Sequence, residues 1–153
     1  MNLNEILEHF GKKIVKTSLA NLTQKGKIDT GALYSSVEYS VDEPDPGEPE
    51  LSFKMKDYGK FVDKGVSGLA VKRKTPYSYG SLSGNGDFLT SLKAWCLRHG
   101  MEEGFAYYIR KRIFLEGIKP TYWFTKAYNK EIKDIDKAID EWMEELDFVE
   151  DDE

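Results

Sequence analysis

VEYSVDEPDPGEPELSFKM, Val37 to Met55, decides the fold. Val37, Tyr39 and Val41 alternate with Glu38, Ser40 and Asp42, and Leu51, Phe53 and Met55 alternate with Ser52, Lys54 and Lys56. A period of two puts one set of side chains on each face of a strand, so both runs read as half-buried strands. Between them EPDPGEPE holds three prolines and a glycine, a turn region that cannot continue a ladder. The expectation is an antiparallel hairpin with a wide loop. Two strands alone are marginal in water, so long helices must cover their apolar side.

The flanks supply those helices. Leu3, Ile6, Leu7, Phe10, Ile14 and Leu19 recur at helical steps, predicting a helix over 3–23 capped by Asn2 or Asn4 and stopped at Gly26. Asp29 or Thr30 caps a short turn or helix through GALYSS. After the strands comes DYGKFVDKGVSG, Asp57 to Gly68. It reads as too Gly-rich for a good helix and too charged for a core strand. It is expected to lead from the sheet into a long surface loop, 66–86, that meets another subunit; loops of this length are uncommon in compact domains. Phe88, Leu89, Leu92, Trp95 and Cys96 then share a helical face that ends at His99-Gly100. A second helix begins at Glu102 or Glu103, with Phe105, Tyr108, Ile109, Arg112 and Ile113 along one side and Gly117 closing it. Thr121 or Thr125 caps a last helix striped by Ile132, Ile135, Ile139, Trp142, Met143 and Leu146. The class is α+β: a small antiparallel β-sheet with a long loop, packed against N-terminal and C-terminal α-helices. At 153 residues the chain is most simply one domain, 1–147, followed by an acidic tail, 148–153.

The formal net charge is −5, but its distribution is uneven. Residues 140–153 hold nine acids and no Lys or Arg, which leaves +4 for 1–139. A mildly basic body with an acidic end marks either an interaction tail or a solvated terminus. No apolar run reaches the roughly 20 residues of a membrane span, and the N-terminus lacks the apolar stretch of a secretory signal. One cysteine, Cys96, excludes an internal disulfide and reads as a small buried hydrophobe.

Sites of chemistry are scarce. His9 and His99 have no Cys or His at metal-ligand spacing, so no metal site is expected. GSLSGNGD, 80–87, lacks the lysine and Ser/Thr of a P-loop and reads as a flexible loop. Asp134 and Asp136 lie two apart and point to different sides of a helix. His99, at a helix end, is a partner for the helix dipole rather than a base. The expectation is no catalytic residue, no cofactor and no enzyme. Lys72, Arg73 and Lys74 beside Pro76, Tyr77 and Tyr79 are the one conspicuous cluster. Three readings of it stand side by side: a solvated charge run, the Arg and Tyr anchors of a protein interface, or a surface that follows phosphates and stacks bases. The overall acidity disfavours DNA as the main partner.

Three segments, in order, carry a resemblance. DTGALYSSV (29–37) is similar to the TG-x-L-x-x-S-hydrophobic signature leading into the first strand of tail-completion, or neck, proteins of long-tailed bacteriophages. DYGKFVDKGVSG resembles their Tyr-x-x-Phe/Tyr-Val-Asp/Glu-x-Gly segment. GIKPTYWFTKAY (117–128) resembles their late Pro-x-x-Phe-hydrophobic-x-x-Ala stretch. The motif positions are Thr30, Gly31, Leu33, Ser36, Tyr58, Phe61, Val62, Gly65, Pro120 and Phe124. The chain departs from the pattern at Tyr34, in its long basic Tyr-rich loop and in its acidic end.

The resemblance implies a structural virion protein at the head–tail junction, made in the bacterial host cytoplasm. It implies a ring of identical copies touching portal, adaptor or tail-tube proteins, with genomic DNA passing nearby at most and no membrane. Under it Leu33 and Val37 pack beneath the sheet, Phe61 and Val62 complete the sheet, and Gly31 and Gly65 permit positive φ or close backbone approach. A ring member meets its neighbours with two different surfaces. The sheet edge and the 66–86 loop, with Lys72, Arg73, Lys74, Tyr77 and Tyr79, are the expected ones. The alternative is a small regulatory or nucleic-acid-binding module that uses this loop directly.

Overall fold

The computed structural model describes residues 1–26, 31–80 and 86–150. Among them are six helices and two two-stranded antiparallel sheets, an α+β fold with helices at both ends. The chain forms two compact units, residues 1–59 with 122–153, and residues 60–121.

In the first unit α1 (Leu3–Gln24) begins with a reciprocal cap. Asn2 Oδ1 accepts the Glu5 N–H at 2.9 Å and Glu5 Oε2 accepts the Asn2 N–H at 2.9 Å. This element runs antiparallel to α6 (Trp123–Glu150): Lys13 meets Glu131, and Asn21 Nδ2 donates to the Trp123 carbonyl at 3.1 Å. Ile6, Phe10 and Ile14 bury against Ala127 and Ile135, with Phe53, Phe124, Ile132, Ile139 and Trp142 packed around them. The hairpin lies against α1 at Gly11, where a Cβ would come within 2.6 Å of the Tyr39 ring and 2.8 Å of Leu51. The side-chain alternation therefore faces the core as expected, with Tyr39 opposite Phe53 and Val41 opposite Leu51.

The wide loop is corrected. Strand β1 (Glu38–Asp45) and strand β2 (Glu48–Lys54) run into the proline-rich stretch and turn at Pro46-Gly47. A register shift between Asp42 and Asp45 absorbs Pro44. Each strand of a two-stranded ribbon has a free edge, and a bulge or free edge is where a missing N–H costs little. The short α2 (Ala32–Ser36) starts from Gly31, φ +80°, with no side-chain cap; Asp29 and Thr30, expected there, lie outside the described residues. Leu33 and Val37 are buried as expected.

Helix α3 spans Gly59–Lys64, all but Gly59 in the second unit, so DYGKFVDKGVSG does contain a helix and Phe61 and Val62 add no strand to the hairpin sheet. Strand β3 (Val66–Ser67) follows and pairs antiparallel with β4 (Gly117–Ile118). Helix α4 (Gly86–Arg98) and helix α5 (Phe105–Glu116) form an antiparallel pair, with Phe88 against Phe114 (5.5 Å between ring centroids) at one end and Lys93 over the Tyr107 ring (5.2 Å) towards the other. Cys96 is buried within it. His99 caps α4 through Nδ1, 2.9 Å from the Trp95 carbonyl, and stacks on the Trp95 ring.

The buried residues of α5 are Ala106 and Phe114, and the side bearing Phe105, Tyr108 and Arg112 faces outward. Thr121 does not cap α6: its hydroxyl donates to the Val62 carbonyl at 2.9 Å. The backbone of 148–150 continues α6, and 151–153 lie outside the described residues.

Candidate subunit interface

The segment 65–79 is strapped down by its own polar groups. Ser67 donates its backbone N–H to Tyr77 O and accepts from Tyr79 N, so residues 77–79 run beside β3. The Ser67 hydroxyl accepts from Arg73 N at 2.8 Å and donates to Arg73 O at 3.1 Å. Thr75 Oγ1 donates to Gly65 O at 2.9 Å, and Leu69, Ala70 and Val71 donate to the carbonyls of Phe114 and Leu115. The expected long surface loop is therefore, as far as residue 80, a strap over the end of α5.

The five predicted interface residues divide accordingly. Arg73 donates Nε and Nη2 to Glu116 O at 3.1 and 2.9 Å, a cation on the carbonyl end of α5. Tyr77 packs edge-on against Phe61 (4.9 Å) and Tyr79 against Phe114 (4.9 Å). Burial raises the Tyr79 hydroxyl above its ordinary value. Only Lys72 and Lys74 are exposed, and Lys72 Nζ lies 3.4 Å from Gly68 O. GSLSGNGD lies mostly outside the described residues.

The glycines of the opening stretch have a steric cause. Gly65 has φ +75°, and a Cβ there would sit 2.6 Å from Ile118 O and 2.8 Å from Pro120 N. Gly68 and Gly117 face each other across β3 and β4 with even less room. Gly117 also adopts φ +74°, ψ −162°, a conformation essentially confined to glycine. Gly59, in the first unit, has Met55 and Leu33 against the place of its Cβ, and its carbonyl accepts the indole N–H of fully buried Trp123 at 3.2 Å. The segments 57–68 and 117–128 are thus brought together in both units. Of the other motif positions, Phe124 meets Phe53 at 5.3 Å, Ser36 accepts the Lys56 N–H at 2.9 Å, and Tyr58 is exposed. Thr30 lies outside the described residues.

What the sequence reading missed is a charge division that follows the fold. Residues 60–121 carry eleven Lys or Arg and five Asp or Glu, a formal +6, which leaves −11 for the rest of the −5 chain. The signal was in the sequence, but the cut needed was at residues 59 and 122 rather than at 139. Unit two also exposes Leu97, Phe105, Tyr107 and Tyr108. Three of the four, Phe105, Tyr107 and Tyr108, lie within one turn of α5, and exposed apolar side chains gathered in this way mark contact with another molecule more often than scattered ones do.

Chemistry has less to work with. An open groove of about 500 Å³ is lined by Asn2, Glu5, Glu8, His9, Lys12 and Tyr39. In it the Tyr39 hydroxyl donates to Glu8 at 2.9 Å, and that hydrogen bond, with burial second, raises Tyr39 above its ordinary value. Asp134 and Asp136 are both exposed. Among the described residues no three His, Cys, Asp or Glu gather as metal ligands, and no helix is long and apolar enough to cross a membrane. The chain matches no protein-family model, no curated protein and no solved structure.

Proposed function

We propose that this chain is a non-enzymatic structural protein of the bacteriophage head–tail junction, acting as a ring of identical copies between portal and tail. The observation that carries the reading is the coupling of its motif segments. DYGKFVDKGVSG and GIKPTYWFTKAY, far apart in sequence, are built against each other through Gly59–Trp123, Val62–Thr121, Gly65–Pro120 and Gly68–Gly117. They form one framework in the fold, and this supports reading the two segments together. Exposed aromatics on one unit and opposite charge on the two units give such a framework surfaces to assemble with. Electron microscopy of the purified chain, alone and mixed with portal and tail proteins, tests it. Rings at the junction are expected; free single copies throughout would end the reading.

The +6 charge of the second unit favours one alternative, a nucleic-acid-binding module. Lys72 and Lys74 would then hold phosphates. Duplex or single-stranded DNA bound by the single chain, with affinity falling steeply as salt rises and lost in Lys72→Glu/Lys74→Glu, would favour this alternative over the ring.

A further inference from the structure

The stripe of α6 outruns the helix that covers it. Ile132, Ile135, Ile139, Trp142 and Leu146 fall at alternating three- and four-residue steps, the spacing of a helix–helix seam. Against this seam α1 offers 22 residues to the 28 of α6, and Asn21–Trp123 and Lys13–Glu131 fix their antiparallel register. Continuing that register brings the start of α1 level with about residue 141. Exposure rises along the seam: Ile135 is 6% exposed, Trp142 is half-buried against the core and Leu146 is 49% exposed, with Met143 beside the seam at 53%. The overhang is acidic, with Asp140, Glu141, Glu144 and Glu145 exposed and no Lys or Arg after Lys137.

The outward side of α5 has the opposite character. Phe105, Tyr108 and Arg112 lie along it at i, i+3 and i+7, with Tyr107 and Lys111 beside them. Tyr108 is 57% exposed. Arg110 lies 5.7 Å from the Tyr107 ring; Arg112 lies 6.0 Å from the Tyr108 ring and is paired with Glu116 at 2.6 Å, so Arg110 and Lys111 carry the net positive charge of this side. Lys111 is exposed, and no acid among the described residues pairs with it. The twelve residues of α5 make a surface about 18 Å long, close to the length of the α6 overhang with the turns before it.

We propose that copies of this chain join head to tail, the acidic apolar end of α6 in one copy seating on the basic aromatic face of α5 in a second copy. The occupant is a second copy because the chain carries both halves of the match: apolar residues at helical spacing on each, and opposite charge. The two surfaces differ, so each copy gives one and receives one, which is the arrangement that extends into rings. This inference rests on the self-assembly reading above and names its contact.

The test is self-association of the full chain by sedimentation at low and high salt, with two charge swaps and their combination. Arg110→Glu/Lys111→Glu and Glu144→Lys/Glu145→Lys should each weaken association by about tenfold or more while the helical circular dichroism is kept. The four-fold variant should regain it, because the charges again oppose. A zero-length carbodiimide cross-link on the unaltered chain gives an independent readout. Mixing isotope-labelled and unlabelled chains should yield hybrid peptides joining Lys111 to Glu144 or Glu145. Association unchanged in both swaps, or abolished in each and not regained in the combination, overturns the contact and leaves self-assembly standing. A wild-type chain that never associates overturns both.

Discussion

Gly68 and Gly117 meet across β3 and β4 with no room for a side chain on either. A Cβ on Gly68 would run into the Leu115 carbonyl, and one on Gly117 into the Val66 carbonyl. Both obstacles are backbone, which cannot swing aside. Gly68→Ala and Gly117→Ala should each destabilise the second unit, by about 1–3 kcal/mol for overpacking. Gly117→Ala adds about 1–3 kcal/mol for its conformation. Gly80→Ala, with nothing within 4 Å, should stay within about 0.5 kcal/mol. Denaturant unfolding of the three variants gives the comparison.

Trp123 is fully buried and its indole N–H is held by Gly59 O. Trp123→Phe removes one of two donors to the Gly59 carbonyl, which still accepts within α3, and should cost about 0.5–1.5 kcal/mol for the lost hydrogen bond. Trp123→Ala adds a cavity and should cost about 3–5 kcal/mol. Gly59→Ala should destabilise the same place from the other side, since Met55 and Leu33 fill the space. Thermal melts followed by tryptophan-free signals such as far-ultraviolet dichroism check all three.

Lys13 Nζ lies 2.8 Å from Glu131 Oε2, yet Glu131 is 1% exposed and Lys13 reaches water. Apart from Lys13, no partner among the described residues reaches either Glu131 oxygen. Removing the lysine strands a buried carboxylate, whereas neutralising the acid leaves an ammonium that water can serve. Lys13→Met should therefore destabilise more than Glu131→Gln. The hydrogen bond to Glu131, aided by Glu131 and Asp134 charge and opposed by burial, raises the Lys13 pKa above its ordinary 10.5. A raised folded value means the contribution is complete below 10.5 and is lost as pH climbs through the folded value. The stability gap between wild type and Lys13→Met should hold steady at neutral pH and shrink only in strong alkali.

Asn2 and Glu5 close a reciprocal cap on α1. Asn2→Ala should cost about 1 kcal/mol, and Asn2→Asp should be close to neutral. Hydrogen exchange at the Glu5 and Ile6 amides will show whether the loss is confined to that turn.

The elements visible in the sequence are those whose cause is local. The α1 cap needs only Asn2 and Glu5, and the hairpin face needs only the period of two. The tight turn was hidden because EPDPGEPE looks hostile to pairing until each strand is known to have a free edge. Helix α3 was hidden because its flanking glycines answer to neighbours brought close only by the fold: Leu33 and Met55 crowd Gly59, and Ile118 and Pro120 crowd Gly65. On α5 the periodicity marked a side but not its direction: small Ala106 turns inward and Tyr108 outward. Arg73, Tyr77 and Tyr79 were legible as anchors, and their partners proved to be Glu116, Phe61 and Phe114 of the same chain. The charge division depended on tertiary contacts, since residues 1–59 and 122–153 become one unit only in the fold.

Sedimentation of the purified full chain across a wide concentration range, alone and with portal and tail proteins, tests the central claim most directly. Assembly by this chain predicts closed species many times the 17.6 kDa of one copy, weakening as salt rises. A species that stays at 17.6 kDa under every one of these conditions would contradict it.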